Sequence, residues 1–207
     1  MNNSNSNFNE SRAAIGQKRR IVVKIGSRVL VQKNGRPNLR RMRSLVRELA
    51  KLNRQGREII LVTSGAISTG MQALGMKQRP THLPKLQMSA AVGQNKLMAQ
   101  YDKLFSAQKC TIGQVLLTHD DLKHRLRHLN ARNTILSMLQ ARIIPVVNEN
   151  DVVAVDEIKF GDNDLLASLV IHLIEADLLI LLTTTDGLRE IMPSGRSRRI
   201  TSIKGIT

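Results

Sequence analysis

Four short stretches set polar or charged side chains where apolar runs end. In VVKIGSR, Lys24 sits inside an apolar run, with Gly26 and Ser27 following at once. Burying an ammonium there is costly unless it has a task. Glycine-turn N–H groups, a hydroxyl and a compact cation together suit a phosphate. The GxxxxGK[ST] spacing of a Walker loop is not present. VTSGAISTG puts Thr63, Ser64 and Gly65 at the end of a second apolar run and opens a helix. Ser64 reads equally as a helix cap or as part of an anion site at the helix N-terminus.

The other two stretches are acidic and amide-rich. VVNENDVVA carries Asn148, Glu149, Asn150 and Asp151 in succession, and turn chemistry explains only two of the four. KFGDNDLLASLVIHL sets Asp162, Asn163 and Asp164 between a glycine and an apolar run. Helix capping and the helix dipole employ one or two of these, which leaves at least one for a ligand. The two stretches predict a polar wall facing Lys24, Ser64 and the glycine turns.

Such residues need a scaffold that gathers strand ends. RIVVKIG, REIILVTSGA, RIIPVVNEND and ADLLILLTTTDG each run from polar residues through apolar ones to a polar end, and read as four buried strands. CTIGQVLLTHDDL supplies a fifth apolar run. Between them, LRRMRSLVRELAKLNRQG, LPKLQMSAAVGQNKLMAQYDKLFSAQ, RHLNARNTILSMLQA and the run after GDND have helical spacing. Alternating strands and helices predict an α/β fold, a three-layer α/β/α sandwich with a mostly parallel central sheet. Ligands of such sheets bind outside the carboxyl ends of the strands. DEIKFGD is expected to form a loop or short hairpin over that edge.

At 207 residues the chain suits one domain, over 20–207, after a disordered basic tail at 1–19 rich in Asn and Ser. With three Phe, one Tyr and no Trp, the core must be aliphatic. The single Cys110 rules out an internal disulfide framework and fits a reducing compartment. No apolar run is long enough to span a bilayer, so a cytoplasmic protein without membrane contact is expected. The net charge of +16 attracts polyanions, but the basic residues are spread over helices and lack interleaved aromatics. A solvated basic surface, not specific nucleic-acid binding, is the expectation.

IVVKIGSRVL, TSGAI, SAAVGQ, GQVLLTHDD, HLNARNT, VVNENDVVA and KFGDNDLLA, in this order, resemble the glutamate 5-kinase branch of the amino-acid kinase family. The likeness runs from about Arg20 to Thr207. It implies transfer of the γ-phosphoryl group of ATP to the side-chain carboxylate of L-glutamate, the first step of proline biosynthesis. A carboxylate is already ionised at neutral pH, so alignment and charge neutralisation replace a general base. The resemblance implies that Lys24 contacts the ATP phosphates, aided by Gly26 and Ser27, and that Asp164 orients lysines around them. It places glutamate on Ser64, Asp151 and Asn163, leaves Asp162 as a helix cap, and puts the nucleotide against Thr183 and Thr184. Mg²⁺ is expected with ATP, held by phosphate oxygens and water without dedicated protein ligands. A homo-oligomer is also implied, with proline, an inhibitor of many members, as a regulatory ligand.

Three departures stand out. Arg28 occupies a position where the family usually has a small hydroxyl residue, and Thr184 one where Asp usually follows the strand-end hydroxyl. The sequence closes at ITSIKGIT, where the resemblance implies further elements, including a glycine-rich GGM segment with its lysine, and in some members a PUA domain. Glutamate binding is expected without strong ATP binding. The alternative is a truncated, non-catalytic remnant or partner subunit of such a kinase.

Overall fold

Five apolar segments build the centre of the molecule: β1 (Arg20–Ile25), β2 (Glu58–Val62), β3 (Ile112–Leu117), β4 (Ile144–Glu149) and β5 (Leu178–Leu182). The computed structural model describes residues 14–32, 36–154, 163–192, 195–201 and 203. DEIKFGD with its Asp162, and tail residues 1–13, lie outside the described residues.

All five strands are parallel, in the order β3-β4-β2-β1-β5. Parallel neighbours require crossovers, and helices supply them. α1 (Ser27–Leu30) and α2 (Leu39–Arg54) link β1 to β2, and α3 (Ala66–Ala73) and α4 (Leu83–Ser106) link β2 to β3. α5 (His119–Lys123) and α6 (Arg125–Gln140) lead to β4, and α7 (Asp164–Leu173) leads to β5. An antiparallel hairpin of β6 (Arg189–Ile191) and β7 (Ser197–Arg199) follows.

The strand pleat divides the core between two faces. Ile21, Val23 and Ile25 pack with Met42, Val46, Leu97, Tyr101 and Phe105 of α2 and α4. Val22, Ile60 and Val147 pack with Ile135 and Leu139 of α6 and with Leu166, Ala167 and Val170 of α7. The result is the expected three-layer sandwich with a parallel sheet. Each fully buried aliphatic side chain contributes roughly 1.5–3 kcal/mol. Side chains two apart share a face, so Lys24 lies on the same side as Val22, the side covered by α7.

One strand departs from expectation. β5 reads as a buried run, yet none of its residues is fully buried and Leu181 is 47% exposed. Its place explains this, because among the described residues it is hydrogen-bonded only to β1 and forms one edge of the sheet. Hydrophobic patterning reports affinity for the core, not position within the strand order.

Four helix-to-strand junctions close alike. Gly56, Lys109, Arg142 and Glu175 have φ of 91°, 58°, 62° and 51°. The next N–H donates back into the last turn: Arg57 to Leu52, Cys110 to Phe105, Ile143 to Met138 and Ala176 to Ile171. At the amino end of β1, Asp177 Oδ2 accepts the N–H groups of Arg19 and Arg20 at 3.0 and 2.7 Å. Arg57 donates to the carbonyls of Gly16 and Lys18.

α3 and α4 cross almost backbone to backbone. A Cβ at Gly70 would stand 1.7 Å from the Ser89 carbonyl oxygen, and one at Gly93 1.8 Å from that of Ala66. This contact holds the N-terminus of α3 and the middle of α4 beside the strand ends.

Candidate active site

Register brings the polar strand ends to one edge: Lys24 is level with Val62, Ile25 with Leu182, Val62 with Val147, and Leu117 with Glu149. Over this edge opens a small polar cleft. Ser27, Ser64, Asn148, Glu149, Asp151 and Asn163 line it. The turn from Gly65 to Ser68 and the side chain of Arg79 complete it.

Ser64 is not a helix cap. Gly65 takes that position with φ of 100°, a left-handed conformation that disfavours any other residue, and α3 begins without a side-chain cap bond. Ser64 Oγ is buried and has no hydrogen-bond partner among the described residues. A buried hydroxyl without a partner costs on the order of 1–3 kcal/mol, which a ligand at the cleft would relieve. Thr63, just before it, points to the opposite face and bonds Tyr101 Oη at 2.9 Å. Burial drives the Tyr101 hydroxyl far above its ordinary pKa, against the opposing effect of that bond.

Asn163 likewise does something other than capping. It occupies the N-cap position of α7, yet its side chain makes no cap bond. Its Nδ2 instead donates to the Thr63 carbonyl at 2.5 Å and to Asn148 Oδ1 at 2.7 Å. Asn148 Nδ2 in turn donates to Gln94 Oε1 of α4 at 2.7 Å. Three amides from β4, α4 and the start of α7 thus form one chain behind the cleft.

Asp151 follows β4 by two residues, where burial pushes its carboxyl up to about 6. The Arg79 guanidinium acts in the opposite direction without overcoming burial. The cleft therefore holds a carboxyl that changes charge close to neutral pH, and an arginine beside it.

Lys24 and Asp164 meet at 2.5 Å, Nζ to Oδ1. Lys24 is only 6% exposed, whereas the Asp164 side chain is 49% exposed at the first turn of α7. The acid thus has both a buried cation and the positive end of a helix dipole as neighbours.

Gly26 and the threonines lie at the β1–β5 side of this edge. The Gly26 N–H donates to the Leu182 carbonyl at 3.0 Å, tying the glycine turn to the end of β5. Thr183 and Thr184 follow β5 as exposed residues outside the cleft lining, and Thr183 Oγ1 accepts the Thr185 N–H at 3.4 Å. Arg28 is exposed and outside the cleft lining as well. The structure therefore gathers Ser27, Ser64, Asp151 and Asn163 around one cleft, joins Lys24 to Asp164, and sets Thr183 and Thr184 apart.

Sequence reasoning missed Arg79 and Gln94. Arg79 lies in the irregular stretch KQRP, where nothing distinguishes it from other surface arginines. Gln94 is in SAAVGQ, a segment that entered only through the family likeness and gave no sign of an amide partner.

An open parallel sheet with its polar cleft at the strand ends, a buried lysine and helix N-termini at the edge defines an α/β protein with a candidate small-ligand site. The chain belongs to the Amino acid kinase family, which matches residues 19–205. Among its relatives, glutamate 5-kinase of Moorella thermoacetica is 51% identical over 179 residues, 86% of this chain and 47% of the relative. That of Citrifermentans bemidjiense is 51% identical over 170 residues, 82% of this chain and 46% of the relative. That of Thermobifida fusca is 46% identical over 197 residues, 95% and 51% of the two chains. The chain spans about half the length of the curated relatives it matches.

Proposed function

We propose that this chain carries the acceptor site of a glutamate 5-kinase, which phosphorylates the side-chain carboxylate of L-glutamate with ATP to give L-glutamyl 5-phosphate, the first step of proline biosynthesis. The observation that carries this reading is the cleft in which Ser64, Asp151 and Asn163 converge beside the Lys24–Asp164 pair. Ionised Asp151 is a partner for the α-ammonium of glutamate, and Arg79 offers a guanidinium to a carboxylate. The orphan hydroxyl of Ser64 and the N-terminus of α3 suit the other carboxylate.

Phosphoryl transfer to this acceptor needs alignment and positive charge more than proton transfer. Lys24 supplies that charge from a fixed, buried position, and Asp164 holds it. Gly26 and Ser27 lie next to it for the phosphates, and Thr183 and Thr184 stand at the neighbouring strand end for the nucleotide. Mg²⁺ would enter with the nucleotide, bound by phosphate oxygens and water. Among the described residues no cluster of three His, Cys, Asp or Glu side chains is arranged to hold a metal ion.

The test is glutamate-dependent ADP release with Mg²⁺ and ATP, with the acyl phosphate trapped by hydroxylamine. Trapped product that disappears in Lys24→Ala supports the reading; absence of glutamate binding by the folded chain refutes it. Proline carries an α-carboxylate and a secondary α-ammonium, so competition with glutamate at this cleft is the companion test.

The edge of the sheet favours a second reading, that the chain works in an assembly. Among the described residues nothing pairs with the outer edge of β5, and Leu181 is exposed there, features that proteins usually cover. A homo-oligomer is expected by light scattering, and a monomer at micromolar concentration would dispose of it.

A further inference from the structure

We propose that the outer face of α2 is a binding surface for double-stranded nucleic acid, held through its phosphates without regard to base sequence. None of the residues involved lines the cleft, so the inference is independent of the glutamate-site reading.

The sequence spreads its excess of cations over several helices, and α2 gathers five of them in one line. It turns Met42, Val46, Leu49 and Ala50 inward and leaves Arg40, Arg43, Arg47, Lys51 and Arg54 exposed. A spacing of three or four residues puts these five on one stripe of the helix, neighbours about 5–6 Å apart in a row about 21 Å long. Arg40, Arg43 and Arg47 line a groove with Ser44 and Gln108. Arg54 reaches the same place, donating to the Gln108 carbonyl at 3.0 Å. Beyond Arg40 a second groove continues to Arg36, Gln72 and Gln100.

Helix stability does not account for this row. Like charges three or four residues apart repel, and Arg40 and Arg41 occupy the first turn, where the helix dipole favours acids and none is present. Glu48 is the only acid of α2, and it meets Arg47 at 3.6 Å. An arrangement that costs stability locally is expected where it serves a function. A line of phosphates laid along the stripe would turn the repulsion into attraction.

The chemistry of the surface selects among polyanions. Arginine forks match phosphate oxygens, and Ser44 and the glutamine amides suit further bonds to phosphate and sugar. Pro37 and Leu39 are the only apolar residues lining the two grooves. That is too little for the buried anchors of a protein interface or for insertion into a bilayer. No aromatic side chain lines them either, so unpaired bases have nothing to stack on, which favours a duplex over a single strand. It also leaves the base sequence unread.

The test is fluorescence anisotropy of the full chain with a labelled DNA duplex of about 20 base pairs and mixed sequence, over a series of salt concentrations. The wild type is expected to bind at low salt, with log K falling by about 0.9 per phosphate contacted for each tenfold rise in salt. Arg40→Gln, Arg43→Gln and Arg47→Gln combined should weaken binding about tenfold or more and reduce that slope by about 3, one for each lost contact. Lys123→Gln, Arg125→Gln and Arg127→Gln combined remove the same charge from α5 and α6, on the other helical layer, and should leave the slope near the wild-type value. Equal losses in the two triple variants would make binding a matter of net charge and overturn the proposal. Failure of the wild type to bind the duplex at about 50 mM salt, or tighter binding of the single strand, would overturn it too. Arg43→Gln alone, expected to lower the slope by about 1, serves if the α2 triple variant does not fold.

Discussion

Lys24 Nζ lies 2.5 Å from Asp164 Oδ1, joining the carboxyl end of the first strand to the first turn of the helix that precedes the fifth. The pleat of β1 turns Lys24 to the α7 side, and the packing of Leu166, Ala167 and Val170 on Val22 brings the start of α7 over it. A buried ammonium is thus held by a carboxylate that solvent still reaches.

Asp164→Asn should reveal both roles of the pair. It keeps an acceptor but removes the charge, and because Asp164 is half exposed the stability loss should be only about 1 kcal/mol. Phosphoryl transfer should fall by roughly 10²–10³-fold as Lys24 loses its alignment. Urea denaturation and the hydroxylamine assay check the two numbers. A large loss of stability with unchanged turnover would make the pair structural.

Asp151 gives a pH dependence whose sign follows from its environment. Its carboxyl is raised by burial from 3.8 to about 6, so the native state keeps a proton that the unfolded chain releases between those values. This residue makes stability fall as pH rises through that window. Ligand affinity should run the other way, since only the carboxylate attracts an ammonium, and should weaken as pH falls through about 6. Titration calorimetry at several pH values tests this, with Asp151→Asn expected to bind weakly and with a flat profile. Arg79→Ala, which removes the opposing charge, should move the midpoint upward.

Ser64→Ala should separate stability from binding. Removing a buried hydroxyl without a partner is expected to leave the thermal midpoint unchanged or higher. Glutamate affinity should drop about tenfold because the ligand would have satisfied that oxygen. A variant that loses stability but binds normally would give the hydroxyl a structural partner instead.

Gly93→Ala tests the helix crossing that supports the site. The added Cβ would stand 1.8 Å from the Ala66 carbonyl oxygen and 2.5 Å from the Gly70 nitrogen, backbone atoms that cannot swing aside. Destabilisation of about 3 kcal/mol is expected in urea, with loss of ligand binding as the start of α3 shifts. An alanine at Gly75, where nothing lies within 4 Å, should be milder and confined to the strain of its positive φ.

Much of the site was legible in the sequence because its residues cluster at strand ends, and strand ends are marked locally by apolar runs stopping in Gly, Ser, Thr, Asn or Asp. Lys24, Ser64, Asp151, Asn163 and Asp164 were found this way, and the family likeness supplied their expected roles. The bland alternatives for Ser64 and Asn163 were also local, and there the structure decided: Gly65 took the N-terminus of α3, and the Asn163 amide turned inward to Thr63 and Asn148.

By itself the sequence determined the alternation of strands and helices, hence a parallel sheet between two helical layers, since periodicity and turn chemistry act over a few residues. Only the tertiary structure decided that β5 is an edge, that Arg79 reaches the cleft, and that Gln94 stands behind Asn148. Those facts depend on strand order, register and helix crossing, which are set by packing between segments far apart in the chain. No local pattern records which distant partner a side chain will meet.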